Sequence, residues 1–175
     1  MIPFTKMHGL GNDFVVLDLR DGVAAPDADA ARAIADRRRG VGCDQLILIE
    51  PADMADADVR LRFLNSDGSE SGACGNGTRC VASVLMGESG NGRLVMETLA
   101  GRLEATAAAA GEFTVDMGPA RLDWRYIPLA EECDTLHLDI ALGPLEDPAA
   151  VNLGNPHCVF FVEDAEDIEL ASFGP

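Results

Sequence analysis

One cysteine of the chain lies in a glycine-rich loop, at the point where a strand is predicted to pass into a helix. Gly72, Gly75 and Gly77 surround Cys74, so no bulky neighbour shields its sulfur. The backbone N–H groups of Gly75 and Asn76 belong to the first helical turn and are free to point outward. Because a helix N-terminus lowers the pKa of a nearby thiol and attracts anions, we expect Cys74 to be a thiolate beside a carboxylate-binding site.

A thiolate next to a bound carboxylate can remove a proton from the carbon atom that carries the carboxylate. The negative charge moves onto the carboxylate as the proton leaves, and the helix N-terminus stabilises it there. The alternative is that Cys74 is a small buried core residue, which is the usual position of a free cysteine. The spacing of the residues alone leaves both interpretations open.

The other cysteines of the chain carry weaker signals. Cys80 lies among valines inside the predicted helix and is expected to pack in the core, while Cys43, Cys133 and Cys158 are assigned packing or surface roles. Five cysteines, an odd number, argue against a disulfide framework, and no pair with a neighbouring cysteine or histidine has the spacing of a zinc site. We therefore predict no metal site.

Strand-like segments, many with period-2 alternation, dominate the rest of the pattern. Val59, Leu61 and Phe63 would share one face of such a strand, with arginines on the other face. The predicted strands run from Phe14 to Leu19, Gln45 to Ile49, Val59 to Leu64, Leu94 to Leu99, Leu103 to Thr106, Phe113 to Met117, Leu136 to Ile140 and Cys158 to Val162.

The first of two predicted helices runs from about Asp29 to Arg39. Asp27 or Asp29 would cap its beginning, and Gly40 would end it. The basic run of residues 37–39 falls in its last turn, where cations suit the helix dipole. The alternative for this run is simply a solvated helix end.

The second predicted helix begins near Asn76 and ends at Gly87 or Gly90. It has almost no polar side chain after Arg79, so we expect it to be buried all round, with strands packed about it. These elements predict an α+β fold in which a mostly antiparallel sheet wraps around a central buried helix.

Composition and charge narrow the range of partners. A formal net charge of −17 would repel nucleic acid and anionic lipid, so neither is expected as a partner.

The N-terminus lacks the apolar core of a signal peptide and no segment is long enough to span a bilayer, which predicts a cytoplasmic protein. A Gly-Pro break near Met117 predicts two parts, residues 1–118 and an incomplete second domain in residues 119–175.

Four short blocks make the chain resemble the diaminopimelate epimerase family. They occur in the family's order and span the chain: Lys6 to Phe14, Arg39 to Gln45, the glycine-rich loop around Cys74, and Asn152 to His157. The resemblance implies a two-domain fold in which each half wraps a sheet around a central helix, so the second half here would be a partial copy. It also implies an active site between the halves and no need for pyridoxal phosphate, metal or other cofactor.

In this family two cysteines, one from each half, face each other across an amino-acid substrate. One removes the α proton as a thiolate, and the other returns a proton to the opposite face as a thiol. The resemblance assigns Cys74 to the first role or the second, and implies a supporting catalytic role for His157. Without it, His157 would be interpreted as packing at the start of a strand.

The resemblance also implies a set of substrate contacts made largely by neutral amides. An amide can donate to a carboxylate and accept from an ammonium group, which suits a zwitterion. For Asn12, Asn65 and Asn155 the alternative is turn chemistry beside glycine, aspartate or proline. The implied contacts are Asn12, Gln45, Asn65, Gly75, Asn76 and Asn155.

The chain also departs from the family pattern. Family members are longer, and a second cysteine at a helix start, preceded by a Glu-Arg pair, is not found in these 175 residues. We therefore expect the chain alone not to turn over, as a fragment, a truncated chain or a pseudoenzyme. The implied activity is interconversion of LL- and meso-diaminopimelate for lysine and peptidoglycan precursor synthesis. The alternatives are a related racemase or isomerase, or a non-catalytic amino-acid-binding fragment, and a homodimer is left open.

Overall fold

The structure, a computed structural model, describes residues 2–174. The chain divides into two compact units, with the boundary between Met117 and Gly118. Among the described residues, no helix is both long enough and apolar enough to cross a membrane.

The first unit consists of one sheet and two helices. In the sheet the strands follow the order β1-β2-β3-β4-β6-β7-β8, and β5 pairs with β4 beside this path. The strands are β1 Thr5–Gly9, β2 Asn12–Asp18, β3 Gln45–Glu50, β4 Val59–Asn65, β5 Glu70–Ser71, β6 Arg93–Thr98, β7 Gly101–Ala107 and β8 Phe113–Asp116, and the helices are α1 Ala28–Ala35 and α2 Gly75–Ser89.

Two pairs of strands in this sheet are parallel, and the rest are antiparallel. The strands β2 and β3 are parallel and joined through α1, while β4 and β6 are parallel and joined through α2. A parallel pair needs a long crossover, which a helix commonly supplies. The predicted α+β class with a mostly antiparallel sheet is confirmed.

The core of the first unit lies on both faces of the sheet. Phe14 and Ile47 point to the face that packs on α2, where they meet Val81. Val15 and Leu46 point to the opposite face, which packs on α1. The central strands β2 and β3 are therefore buried on both sides, which explains their unbroken apolar runs.

The helix α2 begins where the sequence predicts, but it is not buried all round. Its end is Gly90, which has a φ of 71° and so takes the left-handed conformation that glycine tolerates. Gly87, Glu88 and Ser89 are exposed because the last turn is polar, and Glu88 pairs there with Arg20. The buried residues of α2 lie between Gly77 and Met86, as the prediction of a central helix requires.

The helix α1 is shorter than predicted. Asp27 caps it as expected, by accepting from the N–H of Ala30 at 2.8 Å, but the helix ends at Ala35 instead of Arg39. The reason is local competition for backbone groups. The Asp36 carboxylate accepts from the N–H groups of Arg38 and Arg39, and a side chain that binds nearby N–H groups favours a turn over another helical turn.

The second unit contains short elements only. Two hairpins form, one from β9 and β10 and one from β11 and β12. The elements are β9 Ala141–Leu142, β10 Leu145–Glu146, β11 Ala149–Asn152, β12 Pro156–Val159 and α3 Leu170–Phe173, with 3₁₀ turns at Trp124–Tyr126 and Ala165–Asp167.

Two strand predictions in this unit need correction. Residues 136–140 form no strand, because Asp134 accepts from the N–H of Leu136 and the N–H of Ile140 binds the carbonyl of Leu138, which turns the chain. The strand predicted for residues 158–162 is instead β12, Pro156–Val159, whose register is set by pairing with β11. The hairpin of β1 with β2 was not predicted, since β1 has little apolar alternation.

A glycine in α2 provides the first testable prediction. A Cβ atom at Gly77 would lie 2.8 Å from Cδ1 of Ile47 and 3.1 Å from Cε1 of Phe63. We expect Gly77→Ala to lower the free energy of unfolding by about 2 kcal/mol, since an inserted methyl overpacks a dense core. Urea denaturation of the 175-residue chain measures the change.

The matched control is Gly87→Ala in the same helix. A Cβ atom there meets nothing within 4 Å, and Gly87 is exposed. This variant is expected to gain roughly 0.5 to 1 kcal/mol, the ordinary helix preference for alanine over glycine. Equal effects of the two substitutions would contradict the close packing of α2 on the sheet.

Candidate active site

Cys74 is the residue that caps α2. Its backbone is extended, with φ −146° and ψ 103°, and its Sγ atom accepts from the N–H of Gly77 at 3.4 Å. Its carbonyl accepts from both the N–H and the hydroxyl of Thr78, each at 2.8 Å. The sulfur thus lies among backbone N–H donors at the positive end of a 15-residue helix, as predicted.

The prediction that the Cys74 thiol is acidic is wrong in its net direction. Burial raises the pKa of Cys74 above its usual range, because the charged thiolate is poorly solvated there. Hydrogen bonds from the N–H groups of Gly77 and Asn76, and the charge of Arg79, lower the pKa, but they do not outweigh burial. The resting group is therefore a protonated thiol, half-buried and not walled into the core.

Asn12 lies next to this sulfur at the beginning of β2. The Sγ atom of Cys74 is 3.8 Å from the Oδ1 atom of Asn12, within reach of an S–H hydrogen bond. The hairpin of β1 and β2 also approaches the helix start closely, since a Cβ atom at Gly9 would lie 3.3 Å from the backbone oxygen of Asn76. The structure thus places Asn12 and Asn76 beside Cys74.

Gln45 and Asn65 face each other across the neighbouring strands β3 and β4. Gln45 donates through Nε2 to the Oδ1 atom of Asn65 at 2.8 Å, and Asn65 donates through Nδ2 to the hydroxyl of Ser69 at 3.0 Å. The Oε1 atom of Gln45 is buried and accepts no hydrogen bond among the described residues. A buried unpaired acceptor is costly, so this atom is free to take a donor such as an ammonium group.

A charged cluster near Asn12 has no signal in the sequence pattern. Arg37 donates to Asp13 at 2.6 Å and to Asp44 at 2.7 Å, and Lys6 donates to Asp13 at 2.5 Å. These bonds hold the pKa of Asp13 well below its usual range, the hydrogen bond from Arg37 being the largest cause. The basic run was interpreted as a helix end or a solvated face, and the structure corrects that for Arg37.

Asn155 and His157 belong to the second unit. The Nε2 atom of His157 is 2.9 Å from the Oδ1 atom of Asn155, and the His157 side chain is exposed on β12. Asn155 lies in the turn between β11 and β12, where its carbonyl accepts from the N–H of Leu153. Their substrate-binding and catalytic roles stay predictions.

The remaining cysteines take the places expected of them. Cys43 and Cys80 are buried in the core, and Cys133 and Cys158 are exposed. In the described part of the chain, no group of three or more histidine, cysteine or acidic side chains is arranged to hold a metal ion.

Comparison with known families agrees with this geometry. A family model described as diaminopimelate epimerase matches residues 4–122. The chain is 58% identical over 172 residues to a diaminopimelate epimerase of Rhodospirillum centenum, covering 98% of this chain and 59% of that one. It is 56% identical over 173 residues to one of Acidiphilium cryptum, covering 99% and 62%. The chain therefore spans about three fifths of the length of these curated relatives.

Solved structures show the same fold at low sequence identity. A hydroxyproline epimerase from Agrobacterium vitis, with bound trans-4-hydroxy-L-proline, matches with a TM-score of 0.64 at 20% identity, covering 89% of this chain and 50% of that one. A phenazine biosynthesis protein from Bacillus anthracis matches with a TM-score of 0.55 at 19% identity, covering 94% and 56%.

Proposed function

Because the chain belongs to the diaminopimelate epimerase family, we propose that it supplies one catalytic half of an enzyme that interconverts LL- and meso-diaminopimelate without pyridoxal phosphate. The reaction is proposed to serve lysine and peptidoglycan precursor synthesis, as the family resemblance implies. The observation that carries the proposal is the position of Cys74, a thiol at a helix N-terminus with the carboxamide oxygen of Asn12 3.8 Å from its sulfur.

The proposed chemistry is proton transfer at the α carbon. A thiolate takes the α proton, the electron pair of the C–H bond moves onto the substrate carboxylate, and a thiol on the opposite face returns a proton to the carbon. The N–H groups of Gly75 and Asn76 would hold the carboxylate, because N–H groups in the first turn of a helix have no partner within the helix. Burial of the Cys74 sulfur suits the thiol that gives its proton.

Substrate recognition is proposed for the neutral amides of the site. The unpaired Oε1 atom of Gln45 would accept from an ammonium group of the zwitterion, and the bond from Gln45 to Asn65 keeps that oxygen turned away from Asn65. Asn155 is proposed to contribute a further contact, and His157 is proposed to support the thiols. Because the proposed mechanism takes one cysteine from each half of the enzyme, Cys74 needs as its partner a second cysteine from outside the first unit.

Protection of Cys74 from alkylation tests the substrate assignment on the 175-residue chain itself. Trypsin releases residues 63–79 as a peptide in which Cys74 is the only cysteine, so its modification can be followed by mass spectrometry. We expect LL- and meso-diaminopimelate to slow iodoacetamide labelling of Cys74 at least about tenfold at saturation, because a bound carboxylate covers the helix N-terminus.

L-proline and trans-4-hydroxy-L-proline serve as matched controls. Protection by these ligands and not by diaminopimelate would favour a racemase of another amino acid on the same fold. A binding module would be favoured by a different result. In that case diaminopimelate protects Cys74, but the protein completed with a second half neither exchanges the α proton nor inverts the configuration at the α carbon.

A further inference from the structure

Asp44 contacts the site through Asn12 and not through Cys74. The Nδ2 atom of Asn12 donates to the Oδ2 atom of Asp44 at 2.9 Å, and the Oδ1 atom of Asn12 lies 3.8 Å from the Cys74 sulfur. Arg37, Asp44, Asn12 and Cys74 therefore form a continuous chain of hydrogen bonds. The exposed guanidinium group of Arg37 is the end of this series of hydrogen bonds that lies away from Cys74.

The orientation of a carboxamide depends on its partners, because its oxygen and nitrogen differ only in hydrogen bonding. An ionised carboxylate is an acceptor only, so Asp44 can bind the Nδ2 side of Asn12 and not the oxygen side. With Nδ2 held by Asp44, the oxygen of Asn12 must face the sulfur. From this geometry we infer that Asp44 is a positioning residue, which fixes the Asn12 carboxamide with its oxygen toward the Cys74 thiol.

Asp44 is itself held firmly enough to play this role. Its Oδ2 atom also accepts from the N–H of Asp13 at 2.9 Å, and its Oδ1 atom accepts from Arg37 at 2.7 Å. Its own N–H donates to the backbone carbonyl of Asp13 at 3.0 Å, which ties the loop before β3 to the beginning of β2. The carboxylate has no freedom to turn away from Asn12 without breaking these bonds.

The orientation of the Asn12 carboxamide decides whether the site stabilises the thiol or the thiolate form of Cys74. An amide oxygen accepts from the S–H of a thiol but repels the lone pairs of a thiolate, whereas an amide N–H would do the opposite. The Asp44-Asn12 pair therefore favours the protonated thiol, in the same direction as burial. The importance of this for turnover rests on the proposed function, but the hydrogen-bond chain does not.

Charged groups nearby act on Cys74 or Asp44 independently of the Asn12 orientation. Arg79 lies close enough to the sulfur to favour the thiolate, while Arg37 and Asp13 flank Asp44, and Lys6 binds Asp13. Removing the Asp44 charge alone would also favour the thiolate. A test must therefore distinguish the loss of the Asp44 charge from the change in orientation of the Asn12 carboxamide.

Alkylation of Cys74 measures the thiol directly and needs no turnover. The rate of iodoacetamide labelling of the peptide 63–79 is followed against pH in the 175-residue chain, and each rate is divided by its plateau at high pH to remove differences in access. We expect Asp44→Asn to raise this ratio about fivefold near neutral pH, the effect of one net hydrogen bond. An asparagine at this position can present its own oxygen or nitrogen, so Asn12 is free to turn its N–H toward the sulfur.

Asp18→Asn is the matched control. Asp18 is an arginine-paired carboxylate at the other end of β2, and its side chain is 45% exposed, compared with 44% for Asp44. The Asp18→Asn substitution is expected to leave the labelling of Cys74 unchanged. A double-mutant cycle with Asn12→Ala then separates the two effects. If Asp44 acts through Asn12, then Asp44→Asn does not change the labelling ratio further in a protein that already carries Asn12→Ala.

Two outcomes would overturn the inference. The first is an unchanged labelling ratio in Asp44→Asn, and the second is a ratio that rises equally in the Asn12→Ala background, which would assign the effect to charge. Should Asp44→Asn fail to fold, Asn12→Ala tests the acceptor oxygen on which the inference depends, and an unchanged ratio in that variant would overturn it. Failure of the proposed function is a separate result, seen as no protection of Cys74 by diaminopimelate.

Discussion

Replacing Cys74 with alanine is expected to lower the rate of diaminopimelate epimerisation about 10³-fold, within the range that a positioned acid or base contributes. Alanine keeps the size of the N-cap close to that of cysteine but removes the thiol that caps the helix. The rate is measured in a hybrid in which this chain is completed with the part of the Rhodospirillum centenum relative that it does not cover. Appearance of meso-diaminopimelate from the LL form is followed by chiral chromatography.

Cys80→Ala in the same hybrid is the control for loss of a thiol. Cys80 lies in α2 six positions later, is buried, and packs in the core cluster on the sheet. We expect its replacement to change the rate by less than about threefold, since volume loss at a buried site affects stability more than chemistry. A Cys74→Ala hybrid with near-normal turnover would exclude Cys74 from proton transfer.

The 175-residue chain alone is expected to show no inversion of LL-diaminopimelate in deuterium oxide, whereas the hybrid inverts and incorporates deuterium. A single thiol can take a proton and return one to the same face, but inversion needs a donor on the opposite face. Cys133 and Cys158 are exposed and neither caps a helix, so neither resembles Cys74 in its surroundings.

Nuclear magnetic resonance of the recovered amino acid distinguishes the outcomes, because deuterium at the α carbon and the configuration there are read separately. Exchange with retention would mean that Cys74 acts as a single base. Inversion by the chain alone at the rate of the hybrid would contradict the requirement for a second cysteine.

The central parts of the fold could be predicted from the sequence because they have strong local patterns. Apolar residues alternate with arginines over residues 59–63 of β4, and α2 has a glycine-rich start and an apolar body, so both elements can be placed within a few residues. The second unit gave weaker signals. Residues 136–140 look like a strand in hydropathy, but carboxylate and carbonyl acceptors close turns there.

The sequence points to several residues that the structure brings close together, but not to the electrostatics around Cys74. The family resemblance named Asn12, Gln45 and Asn65, and the structure brings Asn12 to Cys74 and pairs Gln45 with Asn65. The thiol pKa was assigned the wrong direction because a sequence shows the helix start and not the depth of burial. The role of Arg37 was missed because its partners lie 24 and 7 residues away along the chain.

The crossover from β4 through α2 to β6 links the assembly of the site to the folding of the first unit. The parallel pairing of Val59 with Met96 closes a long loop, so its formation carries a considerable entropy cost. The turn that carries Cys74 lies inside that loop. A chain that has not yet closed it therefore has no helix N-terminus fixed against the sheet, and the thiol acquires its chemical character in the same cooperative step that makes the domain stable.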